Sequence, residues 1–176
     1  MLRHILSALT AALTLGAGAA AAQDIDFGSE ANRVWWNGVT PNELQELAVE
    51  AGATYTSVSD NGTVVVSRLE WPDVGVVQAW QGTCTWADGV VARDDNCTEL
   101  ILLHETTPPS DVELFRANAP LWLASVVGDD GQFRLYRYEA YAYGTSRGRV
   151  LAELLLFKRY LGTAQDLIEE IDDSGW

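Results

Sequence analysis

The chain has 176 residues, 11 Lys and Arg against 25 Asp and Glu, and a formal net charge of −14. That acidity excludes nucleic acid and anionic membrane surfaces as natural partners, since both demand a basic footprint. Apolar residues make up 48% of the chain, with seven Trp and six Tyr, which supplies the core of a folded domain and excludes a disordered tail.

The first residues, Met-Leu-Arg-His, precede an apolar run from Ile5 to Leu15 and a small-residue stretch ending Ala20-x-Ala22. A basic start, a short apolar region and an Ala-x-Ala end describe a secretory signal peptide over 1–22, with cleavage between Ala22 and Gln23. The run is too short to span a membrane, and no cysteine follows it to accept a lipid. The expectation is a periplasmic or secreted chain of 154 residues with no membrane insertion after cleavage. Loss of Arg3 would take the net charge from −14 to −15. In an oxidising compartment Cys84 and Cys97, the only cysteines, are expected to pair. Their spacing is not that of a thioredoxin-like site, and a zinc site would lack ligands, because His104 is the only histidine after residue 22. No metal and no cofactor is expected.

Residues 23–39 show no sustained period and read as an extended arm carrying the pair Trp35-Trp36. The two indoles could offer a stacking platform; anchoring the arm to the core is the preferred reading. A single domain is expected over 40–172. Thr40-Pro41-Asn42-Glu43 opens a helix, with Thr40 and Glu43 as a capping box and Pro41 in the first turn. Leu44, Leu47, Ala48 and Ala51 line one face, and Gly52 stops it. Ala53–Val58 and Thr63–Leu69 form a hairpin around Asn61-Gly62, and Trp71-Pro72-Asp73 makes the next turn.

Val74–Gln81 and Thr98–Glu105 are predicted as two long antiparallel strands clamped by the disulfide. Leu100 and Leu102 face one way, Ile101 and Leu103 the other, which predicts a central strand covered on both sides. Trp80, Cys84 and Trp86 share a parity, so two indoles would flank the disulfide. The acidic loop Asp88–Asn96 lacks the pattern of a calcium loop and reads as solvated, although it and Trp86 are candidates to touch a partner. Ser110 and Glu113 form a second capping box, followed by Val112, Phe115 and Ala119 on one helical face. Leu121–Val127 and Gln132–Ala142 are predicted strands flanking Gly128–Gly131. In the second of them Arg134 and Arg137 interleave with tyrosines, a candidate surface for a carboxylate-bearing ligand, or else a strand whose arginines stack on tyrosines or pair with acids. Gly144-Thr145-Ser146 caps a final helix from Arg147, which Gly162-Thr163 should break or bend before an acidic, solvated tail.

No catalytic signature stands out. Nucleophile-elbow, P-loop and dinucleotide-binding patterns are missing, and His104 reads as an ordinary sheet-edge residue. Not an enzyme is the reading adopted, and a hydrolase built on an unrecognised carboxylate pair is the remote alternative.

The predicted order α-β-β-β-β-α-β-β-α, the two cysteines at the central hairpin, Asn118 in the middle helix, and the Gly144, Ser146, Arg147 run entering a long terminal helix together resemble the YbjN-type family, described as bacterial sensory transduction regulators. The resemblance covers roughly Pro41 to Ile171. It implies an α+β domain with an antiparallel sheet of about six strands, similar to type III secretion chaperones and often dimeric. It also implies binding of a protein or peptide partner in place of catalysis, with no active-site residues to carry over. The signal peptide departs from the better-known members and marks an exported branch. Trp35, Trp36, Trp86, Arg134 and Arg137 are the candidate partner surface, and a small-ligand or carbohydrate binder using Trp35, Trp36, Trp80 or Trp86 is the alternative.

Overall fold

The computed structural model describes residues 25–60, 64–84 and 95–174. The expected signal peptide, its cleavage point between Ala22 and Gln23, the Asn61-Gly62 turn, Trp86 and nearly all of the Asp88–Asn96 loop lie outside the described residues.

The element order is α1 (Glu30–Arg33), β1 (Trp35–Trp36), α2 (Pro41–Glu50), β2 (Thr54–Asp60), β3 (Val65–Trp71), β4 (Gly75–Cys84), β5 (Cys97–Thr106), α3 (Val112–Asn118), β6 (Ala124–Val127), β7 (Phe133–Ala140), β8 (Thr145–Ser146) and α4 (Arg147–Ser174). Six strands form one antiparallel sheet in the order β2-β3-β4-β5-β7-β6, and β1 pairs with β8 in a separate two-stranded ribbon. The class is α+β with a six-stranded antiparallel sheet, the class expected from the element order and the resemblance together.

Local chemistry explains the first helix. Thr40 Oγ1 accepts from the Glu43 amide at 3.1 Å while the Glu43 carboxylate accepts from the Thr40 amide at 2.8 Å, so two of the helix's orphan donors are satisfied reciprocally. Leu44, Leu47 and Ala48 are fully buried, and Gly52 follows the last turn with φ +82°. The chain then enters β2 beneath Trp71, whose indole Nε1 donates to Ala51 O at 2.9 Å. That bond lets the largest side chain in the core be fully buried without an orphaned polar atom.

The long helix α4 lies across the sheet. Val150, Leu151, Leu154, Phe157, Leu161, Ala164 and Ile171 are all buried and recur at helical spacing. Gly162 and Thr163 do not break it, contrary to expectation. The stripe continues past them, Thr163 Oγ1 donates to Arg159 O at 3.3 Å, and packing outweighs the propensity cost of roughly 1 kcal/mol for one glycine. The acidic end is helical as far as Ser174, not a loose tail, and Asp172 accepts from the Ser110 amide at 2.7 Å.

Three further boundaries differ from the expectation. The cap of α3 is Asp111, which accepts from the Leu114 amide at 2.9 Å. Ser110 is not the cap, because Asp111 stands one residue closer to the first helical turn. The strand expected from Leu121 begins only at Ala124, and Leu121 is fully exposed; the bend after Pro120 carries Leu121 and Trp122 past the sheet edge. The arm contains structure of its own: Ser29 caps α1, and Trp35 and Trp36 pair with Ser146 and Thr145.

The largest correction concerns β5. All three major helices pack on one side of the sheet, where Leu69, Trp71, Val77, Ala79, Leu100, Leu102 and Leu135 are buried. Ile101 and Leu103 lie on the opposite side and are only half-buried. The strand is central but covered on one face.

Candidate functional site

The open face is built by strand register. Val66 is paired with Trp80, Trp80 with Ile101, and Ile101 with Tyr138, one from each of β3, β4, β5 and β7. The next row is Arg68, Gln78, Leu103, Tyr136 and Ala124. A third row carries Glu70 and Val76 at one side, and Glu105, Arg134 and Val126 at the other. Directly opposed side chains in adjacent antiparallel strands stand about 5 Å apart, so each row is continuous. Trp80 is 38% exposed and Tyr138 49% exposed. Six strands at about 4.8 Å spacing and three rows about 6.8 Å apart give the whole face, apolar and charged residues together, an area of about 600 Å².

Polar contacts hold this face in shape without covering it. The Trp80 indole donates to Gln78 Oε1 at 2.9 Å, and Gln78 Nε2 donates to Glu105 Oε2 at 3.4 Å. Arg134 Nε donates to Glu105 Oε1 at 2.8 Å, and its guanidinium also pairs with Asp130. The hydrogen bonds from Arg134 hold the Asp130 carboxyl below its ordinary value. Tyr138 donates to Glu99 Oε1 at 3.2 Å; partial desolvation, then that bond, raise its phenol.

A second cluster sits on the helical side at the β7–α4 boundary. Arg137 pairs with Glu139 and lies 3.6 Å from Glu153 Oε2, while Arg149 pairs with Glu139 at 3.3 Å. Trp122 caps the Arg137 guanidinium at 4.8 Å, a cation–π contact. Burial raises the Glu153 carboxyl, and the Glu139 charge adds to that. Burial likewise pushes the Tyr141 phenol up, with the charges of Glu139 and Glu153 next. The crevice between Trp122, Arg137, Glu153, Phe157 and Tyr160 holds about 10 Å³, room for a single water and far below the several hundred cubic ångströms of a small-molecule site.

The expected surface residues are therefore not brought together. Arg134 stands on the open face and Arg137 on the helical side, because residues three apart on a strand point to opposite faces. Trp35, 65% exposed, and Trp36, packed against the core, also diverge and form no two-ring platform. Gly144 turns tightly beneath them. Cys84 and Cys97 are paired and buried with Val65, while Trp80 stands on the open face. The alternation of β4 breaks at Thr83, which has φ 49°, so Trp80 and Cys84 do not share a face. The disulfide is braced by the arm: Val39 and Cys97 exchange backbone hydrogen bonds at 2.8 and 3.2 Å.

His104 is not a sheet-edge residue but buried on central β5. Its Nδ1–H donates to Val76 O at 2.7 Å, and its Nε2 accepts from the Gln165 amide at 3.4 Å. Both ring nitrogens are engaged in tying α4 to the sheet. Arg147 has a similar joining role, with its backbone amide on Val34 O, its guanidinium on Asn32 and an ion pair to Glu50. Among the described residues, no group of three or more His, Cys, Asp or Glu side chains is placed to hold a metal. No helix there is long and apolar enough to cross a membrane.

The aromatic row escaped the sequence reading, although the signal was present: Trp80 and Tyr138 share the outward parity with Ile101, and three helices suffice to cover only one face. No protein-family model matches the chain, and no curated protein or solved structure matches it either.

Proposed function

We propose that this chain is a non-catalytic exported binding module, of the YbjN type, that holds a protein partner on the uncovered face of its sheet. The observation that carries this reading is the in-register row Val66, Trp80, Ile101, Tyr138 at the centre of the sheet, in which Trp80 and Tyr138 are exposed and Val66 and Ile101 half-buried. Exposing that row costs free energy through apolar hydration, at about 25 cal/mol per Å², and partner docking recovers it. The disulfide fits an oxidising compartment, and export places the acidic chain among proteins and away from nucleic acid. The small crevice beside Trp122 and the divergence of Trp35 from Trp36 weigh against a sugar or small-ligand role.

The test is a photo-crosslinking residue at Tyr138, with a control at exposed Arg159 on α4, activated in living cells. The reading expects a discrete protein adduct from position 138 and none from 159. Equal labelling from the two positions, or none from 138, overturns it.

A further inference from the structure

We propose that Glu153 and Arg137 form a pH-operated latch on Trp122: with Glu153 neutral the indole stays down over Arg137, and ionisation of Glu153 draws the guanidinium away and releases it. The latch lies on the helical side of the sheet and does not depend on the docking reading. Its basis is the unequal way in which two carboxylates are held between β7 and α4. Glu139, with a side chain only 9% exposed, is bound by two cations: Arg137 pairs with it closely, and Arg149 lies at 3.3 Å. Glu153 is nearly as enclosed, at 13% exposed, and its one ion-pair contact among the described residues is Arg137 Nε at 3.6 Å. That distance is about 0.8 Å longer than a charge-assisted hydrogen bond. Arg137 Nε is itself buried and donates to nothing among the described residues. A carboxyl and a guanidinium donor thus face one another without bonding. The gap suits a neutral Glu153, because an ionised carboxylate in so enclosed a place would take the idle donor.

Charge sets the direction of the movement. The charges that act on Glu153 are Glu139 and Arg137 from β7 and Arg149 from its own helix. Tyr160 lines the crevice beside them. Tyr141, just past β7, is buried with no partner for its hydroxyl among the described residues and feels the same two carboxylates; burial holds its phenol up, so it stays neutral. While Glu153 is protonated, two arginines face one carboxylate, and the Arg137 cation lies 4.8 Å below the centre of the Trp122 ring. Ionisation ends that surplus of positive charge. A hydrogen bond from Arg137 to a carboxylate then outcompetes a cation–π contact with a half-exposed ring. Trp122 is free to respond: it stands between fully exposed Leu121 and the start of β6, over a crevice with room for one water. Burial, then the Glu139 charge, raise the Glu153 carboxyl, so the latch is closed at the ordinary Glu value and opens as pH rises above it.

The test is fluorine NMR of the purified disulfide-intact chain labelled with fluorotryptophan, titrated from about pH 4 to about pH 8, a range that spans carboxylate ionisation and leaves tyrosine neutral. Trp122→Phe identifies the Trp122 signal by its loss. That signal should shift with a single midpoint above about 4.3, the ordinary Glu value. Its shift difference between H2O and D2O should grow above the midpoint, as the ring moves into solvent. Glu153→Gln should abolish the titration and hold the signal at its low-pH position. Glu139→Gln removes the neighbouring negative charge, so the midpoint should fall; it keeps the test decisive where Glu153→Gln fails to fold. Trp35, exposed elsewhere on the surface, should show no such transition. A Trp122 signal that stays flat across the range overturns the inference, as does a titration that survives in Glu153→Gln or a midpoint that Glu139→Gln fails to lower.

Discussion

Replacing both cysteines with alanine tests the brace at the end of the β4–β5 pair. Cys84 and Cys97 are opposed residues of neighbouring strands, and their link closes a loop of sequence separation 13. Loop-closure entropy for a ring of this size is worth about 3 kcal/mol. Both side chains are nearly fully buried against Val65, so the alanines also leave a small apolar defect that adds to the loss. For a domain of this length, 3 kcal/mol is a fall of roughly 6–12 °C in melting temperature. In urea, with a slope of about 1–3 kcal/mol/M, the midpoint should move by at least about 1 M. The assay is urea unfolding of the double alanine variant against the oxidised wild type, followed by Trp fluorescence and fitted with a common slope. Hydrogen exchange adds a local readout: Val39 and Cys97 exchange both of their backbone hydrogen bonds, so their amides should lose protection before those of Leu100 and Leu102. A loss below about 1 kcal/mol, at the low end of what disulfides contribute, with Val39 protection unchanged would refute the argument that the disulfide and the arm form one brace.

Glu153 supplies a pH-dependent prediction. Its carboxyl is raised by burial and by Glu139, so the folded chain holds that proton more tightly than the unfolded one. Its contribution to stability is therefore present below the ordinary carboxylate value and is lost as pH rises through the raised one. Glu153→Gln should melt higher than the wild type at pH 7, and the gain should vanish below about pH 4, under the ordinary Glu value; a melting temperature lowered at pH 7 would contradict it. Gly144 has φ +86°, and an added Cβ would fall 2.5 Å from Trp35 Nε1 and Trp36 O. Gly144→Ala should cost about 1–3 kcal/mol and selectively increase amide exchange in β1, measured by thermal unfolding and exchange mass spectrometry. Leu154→Ala, at a fully buried position on α4, should cost about 2–5 kcal/mol in urea unfolding, and a loss under about 1 kcal/mol would show that α4 is not the main cover of the sheet.

Much of this architecture was legible in the chain because local chemistry and tertiary packing agree there. Thr40, Pro41 and Glu43 announce α2, and Gly144 with Ser146 announces α4: Ser146 Oγ accepts from the Arg149 amide at 3.3 Å. Where two local signals compete, the boundary moves. Ser110 and Asp111 both suit a cap, and only the path of the chain selects Asp111. Gly162 reads as a stop until Leu161, Ala164 and Ile171 are seen buried on one stripe. The functional surface was hidden for a different reason. Apolar residues on both sides of β5 look the same whether the second side meets a helix, a partner or water. What separates these cases is the cross-strand register that aligns Trp80, Ile101 and Tyr138, and register is a property of three strands at once. The opposite siting of Arg134 and Arg137 follows from strand parity alone and was readable from their spacing.

The central claim is that the open face of the sheet is occupied when the protein is at work. Radical footprinting of Trp80, Tyr136 and Tyr138 measures this directly, comparing the protein in intact cells with the purified chain diluted below micromolar concentration. Occupancy predicts that these three side chains lose reactivity in cells, while Trp35 and Tyr143, exposed elsewhere on the surface, label equally in both. Equal labelling of Trp80 and Tyr138 under the two conditions would contradict the account.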